Sequence, residues 1–268
     1  MTPGVQMSLI LILASIGGSL IAILPAFIIF LYIARLKGRM WLSAIIGGCF
    51  WLIALLARTP ILVALEFWAL TIPPAFYVAF AAIMIFLGAL MAGLFEEGIK
   101  YGFLKKAPRF IDTVKHALSF GLGWGLCEAL LMYVLTVLLY GFLYEWLITI
   151  VTLPPESVLI WNFMTGAVER NIAIIFHVSA TILVALAVWH HRFLFAGVAI
   201  LAHFLFDFIP LILLQFIFYP FLPSTIALIL VEGLFAVFAI LFVVLAYYLL
   251  KREGGPPKLE PKPDTELT

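Results

Sequence analysis

Read for its apolar and polar positions, the chain is a series of long hydrophobic runs at approximately 8–34, 40–66, 75–104, 115–149, 165–190, 192–213 and 222–250, separated by short polar connections. Each run is long enough to cross ~30 Å of hydrocarbon, which takes about 20 helical residues. The pattern predicts an all-α fold, a polytopic transmembrane bundle of about seven helices. Two stretches interrupt it. Arg58-Thr59-Pro60 falls inside the second run, where Pro60 is expected to kink or end the helix and Arg58 to anchor at the membrane interface. Residues 145–163, with Glu145, Pro154, Pro155 and Glu156, read as a loop lying against the membrane and able to cover a cavity. The Pro-, Lys- and Glu-rich stretch from Gly254 to Thr268 has too little apolar surface for a core and reads as a disordered tail. That leaves 1–253 as a single integral membrane domain.

Composition agrees: 66% of the residues are hydrophobic and 11% charged, far from the balance of a water-soluble domain. A net charge of +1 provides no basic surface for nucleic acid. The placement of the basic residues is more telling than their sum. Arg35, Lys37 and Arg39 follow the first run, Lys105, Lys106, Arg109 and Lys115 the third, His190, His191 and Arg192 the fifth, Lys251 and Arg252 the seventh. By the positive-inside rule the amino terminus lies outside and the carboxyl terminus in the cytoplasm, as in a multi-pass protein of the cell membrane. Met1–Gln6 carries no basic n-region, so the first run reads as a retained span. Cys49 and Cys127 both sit in apolar runs, which argues against a disulfide framework.

Against this background the polar residues inside the runs stand out, because a charge in hydrocarbon costs roughly 2.5–3.5 kcal/mol even on insertion scales. Glu96 and Glu97 project in neighbouring directions at the end of the third run, and Lys100 is within helical reach of either. Lys100 can neutralise one, leaving the other free to act as a general base. At a rise of 1.5 Å per residue, Glu96, Glu97, Glu128, His177, His203 and Asp207 all fall roughly 13–22 Å from the basic ends of their helices. A shared depth predicts one polar cavity in the cytoplasmic half of the bilayer, open to cytoplasmic water. The spacing Gly121-x-x-x-Gly125 allows a second helix backbone to approach beside Glu128. His203-x-x-x-Asp207 puts an imidazole and a carboxylate on one helix face, able to address one water or metal. Glu169 and Arg170 open the fifth run and are expected to pair with each other or with another helix. Glu232, farther toward the outer side, is left out of the site.

In order and spacing, Leu94-Phe95-Glu96-Glu97-Gly98-Ile99-Lys100-Tyr101, Phe120-Gly121-Leu122-Gly123 with Glu128, Glu169-Arg170 with His177, and His203-x-x-x-Asp207 resemble the YhfC-type intramembrane metalloproteases. These form a branch of the superfamily holding the CAAX prenyl proteases and PrsW-type proteases. The resemblance covers residues 90–210 well and the flanking helices by hydrophobicity alone. It implies an intramembrane peptidase acting on membrane proteins or peptides. The paired glutamates would activate water, while Glu128, His177, His203 and Asp207 would hold that water or, through His177, His203 and Glu128, a metal such as zinc. Lys100, Glu169 and Arg170 would support them. Two positions depart from the pattern: Lys100 replaces the usual Arg, and Trp124 stands where a histidine is expected four residues before the glutamate. Two other functions fit the same polar spans, namely a non-catalytic scaffold resembling the multi-pass subunit of gamma-secretase and a proton-coupled transporter.

Overall fold

A computed structural model describes residues 9–35 and 37–257. The expectations for Met1–Gln6 and for most of the tail, 258–268, lie outside the described residues. Seven helices are long and apolar enough to span a membrane: α1 (Leu9–Ala34), α2 (Gly38–Ala69), α3 (Pro74–Lys106), α4 (Val114–Leu147), α5 (Glu156–Trp189), α6 (Phe193–Phe218) and α7 (Ser224–Glu253). Among the described residues there is no strand.

Helix α5 is the axle of the bundle. Its most apolar 18-residue window is 83% buried, against 22–39% in the other six, because α1, α3, α4, α6 and α7 pack against it, while α2 packs on α4. Since hydrocarbon is as apolar as a leucine side chain, such helices associate by close packing and polar contacts and not by leaving water. The glycines of α4 provide the close packing. A Cβ on Gly123 would lie 1.9 Å from the Ala44 carbonyl oxygen of α2, and one on Gly121 or Gly125 would lie 2.9 Å from the Cα of Val178 or Ile174 on α5. Alternate glycines thus face two different helices. The Gly121-x-x-x-Gly125 expectation holds, and Gly123 adds a second contact on the other side. Gly93 brings α3 against α6 in the same way, 2.6 Å from the Ile200 carbonyl oxygen.

Three helices contain a widened π turn, at Gly93–Glu97 in α3, Ala129–Val134 in α4 and Leu214–Phe218 in α6. Turns of this kind recur at functional sites because they re-aim side chains. The first carries Glu96 and Glu97, and the second begins directly after Glu128.

Several boundaries differ from the sequence expectation. Pro60 neither ends nor divides α2, which runs on to Ala69; the hydroxyl of Thr59 donates 2.7 Å to the Leu55 carbonyl in the turn where proline provides no N–H. Helix α5 begins at Glu156, so the α4–α5 connection is shorter than 145–163, and none of those residues lines the polar cavity described below. Two prolines raised the loop signal there, yet Pro155 is simply the residue before the helix, a position where proline is compatible with starting one. Cys49 and Cys127 are free thiols. In the α3–α4 connection, Asp112 accepts hydrogen bonds from Arg39 and from the His116 ring.

Candidate functional site

Glu96 and Glu97 diverge. Glu97 turns toward α6 and into the protein: Lys100 Nζ donates to both its oxygens, at 2.8 and 2.9 Å, and His203 Nδ1 lies 3.1 Å from Oε1. Glu97 and Lys100 are both completely buried. Glu96 turns the other way, where Arg58 Nη1 of α2 lies 2.8 Å from Oε1 and the indole Nε1 of Trp124 donates 3.0 Å to Oε2. Lys100 Nζ also sits 4.3 Å from the centre of the Trp124 ring, a cation–π contact that closes the group. The pair expected from the sequence is thus one carboxylate neutralised by Lys100 and one paired with Arg58 at the wall of a cavity.

His177 and His203 come together, with ring centres 5.3 Å apart. Each is braced by a carboxylate. His177 Nε2 is 2.6 Å from Glu128 Oε2, and the other Glu128 oxygen accepts from Arg170 Nη1 at 2.8 Å. Arg170 also donates to Glu169. An ionised carboxylate only accepts, so the proton in the first pair is on Nε2, and Nδ1 is buried without a partner. In His203 the roles are reversed: Nδ1 addresses Glu97, and Nε2 lies 3.7 Å from Asp207 Oδ2.

Every ionisable residue expected at the site is therefore in one network. Donor atoms of Glu96, His177 and His203 all lie within 4.8 Å of one another. Two imidazoles and a carboxylate are a ligand set suited to zinc, and a carboxylate on the far ring nitrogen is the usual way a ligating histidine is oriented. The residues present fit a divalent metal. The sequence reading named Glu128 with the two histidines; in the structure it is the Glu96 carboxylate whose donor atom lies within 4.8 Å of both rings, while Glu128 is bonded to His177 Nε2.

The network opens into a cavity of about 290 Å³, lined by Glu96, Glu128, His177, His203 and Asp207 but not by Glu97. The cavity does not run to the basic loops. Counted along the helices, Glu96, His177 and His203 lie about 15–18 Å from the basic ends, whereas Leu214 of α6 and Leu228 and Glu232 of α7, which also line it, lie about 30 Å or more away. Toward the basic ends of the helices the packed residues beyond the cavity include Leu104, Phe120, Trp124, Leu183 and Leu186.

Three residues escaped the sequence reading. Arg58, taken as an interface anchor, is bound to Glu96 with a side chain only 14% exposed. Trp124, a departure from the pattern, donates to the same carboxylate. Glu232, set aside as too far out, lines the cavity. For Arg58 and Glu232 the signal was available, since an ionisable residue within a span is a site candidate wherever it falls along the helix.

Compared against protein families, the chain matches one described as YhfC intramembrane metalloprotease over residues 20–229, well over half its length. No curated protein and no solved structure matches it. The matched segment contains every residue of the network and most of the seven spans, and this multi-pass membrane protein belongs to the YhfC intramembrane metalloprotease family.

Proposed function

We propose that the protein hydrolyses peptide bonds of membrane-associated substrates in the cell membrane, with Glu96 as the proton acceptor for the attacking water. The observation that carries this reading is the convergence of Glu96, His177 and His203 at the end of a polar cavity, with Glu97 held apart by Lys100. Water entering the cavity meets Glu96, which takes its proton as the oxygen attacks the scissile carbonyl and returns it to the leaving amine nitrogen. Arg58 and Trp124 hold the Glu96 carboxylate in place for that transfer. Glu128 and Glu97 fix the orientation of the two imidazoles, and Glu97 is itself fixed by Lys100.

His177 and His203 are the residues that would hold a zinc ion, with the Glu96 carboxylate beside it. When bound, such an ion supplies Lewis acidity toward the carbonyl and the water.

Purified protein assayed for divalent metal and for cleavage of a library of membrane-spanning peptides tests the proposal. Wild type is expected to hold one divalent ion per chain and to cleave; His177→Ala and His203→Ala are expected to lose the ion. A wild type that cleaves nothing across the library would move the assignment to the non-catalytic scaffold.

A further inference from the structure

Glu232 of α7 is the one carboxylate of the cavity that the fold leaves unanswered. Among the described residues five buried side-chain polar atoms lack a partner, and three of them belong to residues lining this cavity: Glu232 Oε2, Arg58 Nε and His177 Nδ1. The metal-ligand set accounts for His177. Arg58 is engaged through Nη1 with Glu96. Among the described residues Glu232 has no hydrogen bond or ion pair.

The charge balance points the same way. The lining holds Glu96, Glu128, Glu169, Asp207 and Glu232 against the guanidinium groups of Arg58 and Arg170. Arg58 serves Glu96, Arg170 serves Glu128 and Glu169, and Asp207 faces His203. A divalent ion at the far end would answer Glu96 and leave the Glu232 end acidic. An unpaired carboxylate in a membrane interior is costly enough that such groups ordinarily pair or mark a ligand path. A positive group on whatever occupies the cavity would supply the missing partner.

Resting on the proteolytic reading above, we infer that Glu232 is the docking point for a positive charge on the substrate, the ammonium or guanidinium of a Lys or Arg residue. The difference in depth along the helices separates Glu232 from the histidines by about 14 Å. An extended chain covers that in about four residues, at ~3.3–3.6 Å each. The docked residue therefore lies within four positions of the scissile bond, on the side of the substrate that points away from the basic loops.

The test uses the full-length protein in detergent and pairs of membrane-spanning peptides that differ only in lysine or norleucine at each of the four positions on either side of the cleaved bond. Cleavage by wild type is expected to favour lysine at one of these positions by about tenfold or more, the factor typical of a hydrogen bond to a charged group. In Glu232→Gln that ratio should fall toward one, and in Glu232→Arg it should reverse for a peptide carrying glutamate at the same position. Thermal shift on adding each peptide gives a second readout, independent of turnover, with lysine stabilising wild type more than Glu232→Gln. If wild type cleaves neither peptide the proteolytic reading fails, and the thermal shift still decides the role of Glu232. Equal handling of lysine and norleucine by wild type in both readouts, or a melting temperature lower in Glu232→Gln than in wild type without peptide, would overturn the inference, the latter by showing an internal structural partner.

Discussion

Adjacent glutamates with one lysine nearby leave two assignments open, and side-chain direction decides between them. Glu97 is enclosed, bonded twice to Lys100 and braced against His203, whereas Glu96 reaches the cavity. Glu96→Gln, equal in size, is expected to lower turnover by about 10²-fold or more with the protein still folded. Removing the lysine by Lys100→Met would leave Glu97 buried with His203 as its one remaining described partner, a loss of about 3–5 kcal/mol that thermal unfolding in detergent would register. Restoration of stability in Lys100→Met/Glu97→Gln would identify the pair as the cause, and wild-type turnover in Glu96→Gln would remove that residue from the chemistry. Trp124 is a different case. Read from the sequence it was a missing histidine, but its indole N–H makes the bond to Glu96 that any donor at that position could make. Trp124→Phe keeps the ring over Lys100 and loses only the donor, so turnover should fall more than melting temperature.

Between residues and the whole, the helices are set by glycine contacts and widened turns. Gly123→Ala would force a methyl group into the Ala44 carbonyl oxygen of α2, and the overpacking should cost about 1–3 kcal/mol. Gly88, whose Cβ would meet nothing within 4 Å, is the control, and Gly88→Ala should leave the melting temperature close to wild type. The α3–α4 connection makes a pH-dependent contribution. Burial pushes the Asp112 carboxyl up, but hydrogen bonds from Arg39 and His116 outweigh it and hold the group below the ordinary carboxylate range. A lowered folded value means that stability is fully present above the unfolded value of about 3.9 and is lost as pH falls through the folded one. Below about pH 4 the wild-type melting temperature should drop toward that of Asp112→Asn; parallel curves would show that the contacts contribute nothing to stability.

At the scale of the molecule, the seven described spans bring ionisable groups from six helices, α2 to α7, to one cavity. The basic loops at 35–39, 105–115, 190–192 and 251–252 support a topology with those loops in the cytoplasm. With the cavity running away from them, the substrate's reacting bond would be reached from the opposite side. Single cysteines at Lys106 and Lys251 should resist an impermeant thiol reagent in intact cells and react after lysis, while one at Thr152 reacts in both. Ready reaction at Lys106 in intact cells would invert the arrangement.

What the sequence determined by itself was everything that depends on spacing along one helix. Run length set the number of spans, depth from the basic loops put Glu96, Glu128, His177 and His203 at one level, and Gly121-x-x-x-Gly125 announced a close contact. These are local quantities, fixed by a rise of 1.5 Å and a turn of about 100° per residue. Tertiary structure decided what depends on rotation between helices: that Glu96 faces the cavity and Glu97 does not, that Arg58 turns inward to Glu96, that Trp124 donates to the same carboxylate, and that the cavity leads to Glu232. No periodicity encodes those directions, because a π turn of one extra residue re-aims every side chain beyond it.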